Sequence, residues 1–493
     1  MKKLIIFVIT LLSFNITLIA QSPYVDYALK FSTNNYSGTA RFAGMSGAFG
    51  ALGGDFSSLA INPGGLGVFR NTELLFSPGV SYNQTSSAYI NTVTDDNSYQ
   101  FGINNLGLVV SYDLEDADTR WVNVNFAVGY NKLNNYNQNI LFSGNNNLSI
   151  MEYFVDNANS AGSINNLDGM YERLLYNIYL MDYDSINNEF WSQVTDQKWY
   201  IDSTNSFNMN KQKIIQNDGS AGEFTFAIGA NYAHKLYVGV NIGISSIRYS
   251  ELSSHYEYEN EETDIYDYSA MEFQERSNTS GTGFSLKLGA IYKPVEFLRL
   301  GAAFHLPTFY KLEEDFYTRA EAYFDNGDFL SQRSVTQTYE YELTTPWKAI
   351  GSVGVQIGKF ALIDADYEYV DYSTMKMDDD FKSQGVIDDN NYINSNFIKT
   401  HNVRFGAEFR TGTFYYRGGF AYSTSPFKEG TSNESFDRTS YSAGLGYRES
   451  NFYIDFAYRR TMSEFNIVDY PGGTQANIDN TMNNFILTAG VKF

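Results

Sequence analysis

The 493-residue chain has no cysteine, 8 prolines and 4 histidines. Without cysteine there is no disulfide, no thiolate nucleophile, no cysteine-ligated zinc and no lipid-modified N-terminal cysteine. His234, His255, His305 and His401 show no ligand spacing, so the sequence points to no metal site and no cofactor. Basic residues are also short, 34 Lys+Arg against 56 Asp+Glu. The resulting net charge of −22 argues against a nucleic-acid partner, because phosphates need Lys and Arg. After residue 20 no run of apolar residues is long enough for a membrane-spanning helix. What is abundant is rings: 40 Tyr, 38 Phe and 4 Trp. With 43% of its residues hydrophobic, the chain can bury a large core and is no disordered polyacid.

Residues 1–20 read as a secretory signal peptide, with Lys2 and Lys3 ahead of the apolar run Leu4–Leu12 and Ala20 before the cleavage point. From about Arg70 onward the pattern has period two. In the stretch from Trp121 to Tyr130, Val122, Val124, Phe126, Val128 and Tyr130 alternate with Asn123, Asn125, Ala127 and Gly129. Between Leu236 and Ser245, Leu236, Val238, Val240, Ile242 and Ile244 alternate with Gly239, Asn241, Gly243 and Ser245. Alternation of this kind marks half-buried antiparallel strands. Gly, Asn and charged residues recur on the second face, as in a wet lumen, and short turns alternate with long polar loops, as in an outer-membrane barrel.

Short connections are expected at 115–119, 233–235, 293–294, 358–359, 411–413 and 449–451. Long ones are expected near 83–100, 134–222, 260–264, 325–333, 374–399, 425–438 and 464–480. These divide residues 70–493 into about fourteen strands, an even number as bacterial barrels require. Tyr and Phe gather at strand ends, which suits interfacial girdles. The last segment alternates Phe485, Leu487, Ala489, Val491 and Phe493, like a closing strand. The expected fold is an all-β transmembrane antiparallel barrel in the bacterial outer membrane, with membrane lipids around it and a long extracellular insertion at 134–222.

A barrel of this width is too wide to be filled by its own wall and narrower than an open porin. Residues 21–69, which do not alternate, are the expected plug. Their run GMSGAFGALGGDFSSLAINPGGL, with Asn62-Pro63-Gly64-Gly65 forming a turn, has no strand before it and no GK[ST] after it, so it is not a phosphate-binding loop.

This run resembles the N-terminal hatch signature of the FadL/TodX family of outer-membrane transporters for fatty acids and other hydrophobic compounds. Asp55, Asn62, Pro63, Gly65 and Leu66 match in order, and Gly64 stands where the family usually has Ala. The stretches TTPWKAIGSVGVQIGKFALIDADYEYVDYS and HNVRFGAEFRTGTFYYRGGFAYSTSP also resemble the family. The resemblance implies a fourteen-stranded barrel closed from the periplasmic side by a hatch containing these six residues. It implies hydrophobic ligand captured among the extracellular loops, a pocket inside the barrel, and exit without an energised partner. The exit would pass sideways through the wall near an inward kink in the third strand, for which Gly129 is the candidate position.

Inward-facing Arg404, Arg410, Arg417 and Arg459 alternate with carboxylates on neighbouring strands. Two readings stand: a lumenal ion-pair ladder between hatch and wall, or an Arg that pairs with a ligand carboxylate. The acidic group Asp378, Asp379, Asp380, Asp388 and Asp389 reads as a solvated loop rather than a Ca²⁺ site. No nucleophile motif stands out, so the chain is not read as an enzyme. The function expected is passive uptake of long-chain fatty acids or other hydrophobic small molecules by a monomer. A general porin for small polar solutes, or an adhesin or structural barrel, is the alternative.

Overall fold

The computed structural model describes residues 23–35, 37–114, 119–195, 208–259, 265 and 267–493. The leader assigned to residues 1–20 lies outside the described residues. Fourteen antiparallel strands close into one ring. They are β1 (Glu73–Tyr89), β2 (Thr92–Asp113), β3 (Trp121–Asn135, resumed at Gln138–Asn146), β4 (Met209–Tyr232) and β5 (Leu236–Tyr258). Next come β6 (Ala270–Val295), β7 (Leu298–His305, resumed at Phe309–Tyr323), β8 (Gln337–Thr344, resumed at Lys348–Ile357) and β9 (Ala361–Asp371). The last five are β10 (Lys399–Thr411), β11 (Phe414–Ser423), β12 (Arg438–Arg448), β13 (Phe452–Val468) and β14 (Gln475–Lys492). The ring shuts where Glu73 of β1 pairs with Lys492 of β14 and the Phe493 amide donates to the Thr72 carbonyl.

Burial inverts that of a water-soluble sheet. Phe126, Val128, Phe226, Ile228, Val240 and Ile242 are exposed, while Asn123, Asn125, Thr225 and Asn241 between them are fully buried. Lipid is the solvent on the outside, and a closed ring leaves no backbone edge for it to touch. Among the described residues no helix is long and apolar enough to cross a membrane.

The long loops expected at 83–100 and 464–480 are instead mostly strand. β1 and β2 run out to a tight turn at Ile90 and Asn91, and β13 and β14 to residues 469–474. Polar composition misled there, because strands that project beyond the bilayer are solvated on the outside too. The turn expected at 293–294 falls at Glu296 and Phe297, with Pro294 inside the end of β6.

The insertion is shorter than 134–222, since β3 resumes to Asn146 and β4 begins at Met209. Between them lie α1 (Ile150–Ala161), α2 (Glu172–Asn177) and a two-stranded hairpin, Asp182–Asp184 with Glu189–Trp191. Phe154, Leu174, Leu175, Met181 and Phe190 pack with Phe273 of β6, Ala320 and Ala322 of β7, and Tyr470 from the β13–β14 turn. Because β7 and β14 are half a ring apart, the insertion reaches across the extracellular mouth.

The N-terminal segment lies inside the ring. The Ala40 amide donates to Thr488 Oγ1 on β14 (2.7 Å), and the Phe49 and Gly50 amides to Asp366 on β9 (3.1 and 3.0 Å). Asn62 Nδ2 donates to the Ala290 carbonyl on β6 (3.0 Å), and Asn125 of β3 to the Leu66 carbonyl (2.7 Å). A segment bonded to four well-separated strands occupies the bore.

Candidate functional site

The Gly/Ala-rich run is held by two side-chain caps. Asp55 accepts from the Ser57 amide (2.9 Å) at the head of the 3₁₀ turn Phe56–Ala60, and from the Thr39 hydroxyl on both oxygens (2.8 Å each). Burial pushes the Asp55 carboxyl above its usual range, against the pull of Arg41 and these donors. Asn62 accepts from the Gly64 amide (3.0 Å) to open the turn Pro63–Val68, and donates to the Gly50 carbonyl (2.7 Å). Pro63 begins that turn where no donor is needed. Gly64 and Gly65 are there for close approach: an added Cβ would lie 2.9 Å from Ala290 Cα and 2.6 Å from Ser58 Oγ, respectively. Leu66 is fully buried with Phe56 and Leu59. The structure brings all six motif residues together in one plug-shaped turn pair against β3 to β6.

The four arginines separate. Arg417 is consumed by ion pairs, with Glu408 at 2.6 Å and Asp455 at 2.7 Å. Glu408 also receives the forked guanidinium of Arg41 through two bonds of 2.9 Å, so wall and plug share one network. Arg448 joins it through Asp455 at 2.6 Å. Arg404 pairs with Glu368 at 2.7 Å, and Arg459 donates to Asn35 Oδ1 at 2.6 Å. Arg410 is exposed beside the short β10–β11 turn, donating to the Gly412 carbonyl (3.0 Å), and takes no part in the lumen. Alternation gives a residue's side of the wall but not its depth along the bore.

Arg41 is the N-terminal segment's own contribution to this network. One arginine in a Gly/Ala run has no period or spacing to announce it. Its helical turn, Ala40–Ala43, is capped by Thr39.

No register break falls at Gly129, the candidate kink position. It stays in register opposite Gly107 and Thr225, and its missing side chain makes room for Phe56: an added Cβ would lie 2.5 Å from that ring. The register breaks between Lys132 and Asn134. Lys132, on the lipid-facing parity of β3, is nevertheless buried, as are Asn131 and Leu133 on either side. Alternation of burial is lost over these three residues, next to the register shift. The β2–β3 ladder ends at the Asn105–Asn131 pair, and Lys132 Nζ reaches across to Gln100 Oε1 (3.2 Å).

Above the plug lies a cavity of about 400 Å³. Tyr27 and Leu29 from the N-terminal helix Pro23–Ser32, Ile140, Phe436, Phe465 and Met482 supply its apolar lining. Asparagines and the Lys30–Glu251 pair (3.5 Å) supply polar groups. The volume is that of an ordinary small-molecule pocket. A smaller space of about 70 Å³ adjoins it, sharing Asn35, Arg438 and Thr461. Among the described residues no cluster of His, Asp and Glu is placed to hold a metal.

A closed fourteen-stranded barrel with an apolar outer band and an occupied bore is the build of an outer-membrane transport protein. Residues 250–492 match the family described as outer membrane protein transport protein (OMPP1/FadL/TodX), so the chain is a FadL/TodX-type protein of the outer membrane. No curated protein matches the sequence. Among solved structures, a Pseudomonas aeruginosa FadL homologue aligns with a TM-score of 0.53 at 14% identity, over 93% of this chain and 99% of that one. The P. putida toluene transporter TodX aligns at 0.52 and 11% identity, over 92% and 98%. The Ralstonia pickettii toluene transporter TbuX aligns at 0.50 and 14%, over 92% and 98%. At such identities these are likenesses of fold.

Proposed function

We propose that the protein takes up a hydrophobic or amphiphilic small molecule, long-chain fatty acids among them, passively across the outer membrane. Residues 21–69 act as the hatch, and the cavity lined in part by their helix Pro23–Ser32 receives the ligand. The observation that carries this reading is the juxtaposition of residues 40–69, hydrogen-bonded to four strands of the wall, with a mostly apolar cavity beside them. A filled bore suits no general porin, and a ligand-sized cavity has no use in a purely structural barrel. Ligand then leaves sideways where β2 and β3 part above Asn105 and Asn131, since the plug blocks the axial route. The molecule acts as a monomer, each barrel carrying its own cavity and seam.

The test is uptake of radiolabelled oleate and of toluene by cells with and without the gene, alongside binding to the purified barrel. Faster uptake of at least one, with saturable binding, is expected. Unchanged uptake of both with an intact, well-folded barrel in the membrane would overturn the reading.

A further inference from the structure

The polar part of the cavity's lining is made of amides rather than of charge. Nine asparagines and Gln138 border it, while its charged residues balance, Asp26 and Glu251 against Lys30 and Arg438. A group of these amides gathers at the break in β3 between Asn135 and Gln138. Asn83 of β1 donates from Nδ2 to the Asn137 carbonyl (3.1 Å), and Asn135 Oδ1 accepts from the Asn137 amide (3.2 Å). Each bond uses one end of a side-chain amide and so fixes which way the other end points.

The other ends have no partner among the described residues: Asn83 Oδ1 is a free acceptor and Asn135 Nδ2 a free donor. Asn83 and Asn135 are only 3% and 8% exposed, so bulk water does not serve them in place of a partner. Asn480 Oδ1 is a second free acceptor, and Asn480 lies diagonally from Asn83 across the β1–β14 ladder on the same face. Unpartnered amide ends also occur at Asn123 and Asn241, but those side chains are packed on the plug through the Phe69 and Leu59 carbonyls. The three around the break in β3 border an open volume instead. A buried polar group is costly until something bonds to it.

We infer that the cavity takes a neutral amphiphile whose head is a vicinal diol, as in a monoacylglycerol, with its acyl chain against Tyr27, Ile140, Phe436 and Phe465. A hydroxyl both donates and accepts. A diol therefore gives its O–H groups to Asn83 Oδ1 and Asn480 Oδ1 and offers an oxygen to Asn135 Nδ2. A carboxylate only accepts, so it serves Asn135 and turns lone pairs on both free acceptors, and the balanced charges give it no net attraction. A hydrocarbon serves none of the three. The inference rests on the cavity being the ligand site and names the head group that this site selects.

The test is isothermal titration of the full mature chain in lipid nanodiscs with 1-octanoylglycerol, methyl octanoate and octanoate at pH 8, with uptake by empty nanodiscs subtracted. The diol should bind about tenfold more tightly than either of the others. The double variant Asn83→Leu with Asn135→Leu should lose that preference and keep its affinity for methyl octanoate, with folding checked by the heat-dependent gel mobility of the barrel. The comparison on the unaltered chain decides the matter even where the variant does not fold. Equal binding of the three, tighter binding of octanoate or of methyl octanoate, or a preference unchanged in the folded variant overturns the diol site and leaves the cavity reading standing. No binding of any of the three overturns both.

Discussion

Arg41 ties the plug to the wall with one side chain, and the cost of losing it follows from what remains. Glu408 is nearly fully buried and accepts two bonds from Arg41 and one from Arg417. Truncating one partner of a buried pair costs about 3–5 kcal/mol, and Arg417 should hold the loss near the lower end. Arg41→Met is therefore expected to lower the midpoint of urea unfolding in lipid vesicles and to make the bore leak ions in planar bilayers. Adding Glu408→Gln should lower the stability further, because buried Arg417 then loses one of its two carboxylates. A leak-free Arg41→Met at full stability would show that the pair does not anchor the plug. Asn62 makes a smaller case: Asn62→Ala removes a cap worth about 1 kcal/mol and strands the Gly50 and Ala290 carbonyls it serves. Its measured loss should exceed that of a surface cap.

At the scale of the element, β3 is the strand that departs from the ring. From Trp121 to Tyr130 it obeys the two-sided rule, and then three successive residues, Asn131 to Leu133, are buried. The break shows in the burial but not in the residue types, since Asn131, Lys132, Leu133 and Asn134 read equally well as the start of a polar loop. Gly129 makes room for Phe56, a contact between segments some seventy residues apart that no local pattern encodes. Lys132 closes the seam by reaching Gln100, and an added Cβ at Gly102 would lie 3.1 Å from its ammonium. If ligand leaves here, Lys132→Ala should raise the uptake rate several-fold with binding unchanged. Because the chain lacks cysteine, Gln100→Cys with Lys132→Cys gives a clean pair for a thiol cross-linker. Cross-linked barrels should bind ligand but deliver little of it until the linker is cleaved. Undiminished delivery through a closed seam would place the exit elsewhere.

For the whole molecule, the two solvents explain what could be read from sequence. Lipid outside and a polar interior impose one alternation on every strand, so barrel, strand number and orientation are legible residue by residue. The lumen obeys no such period. Its contacts pair Arg41 with Glu408 and Asn62 with Ala290, residues joined only by the ring's closure. That closure does not depend on the plug, since β1 and β14 pair from Glu73–Lys492 to Tyr89–Ala476. A chain lacking residues 40–69 should therefore still form the barrel. Glu408, Arg417 and Asp455, which face the plug in the intact chain, would then be rehydrated by an open bore and keep their ionic pairing to one another. Such a variant is expected to give ohmic single-channel currents in planar bilayers, where the intact chain gives none. It should also lose saturable uptake, because ligand can pass through without meeting the cavity's lower wall. Equal currents from both forms would mean that water and ions already pass the N-terminal segment, and the lateral route would lose its reason to exist.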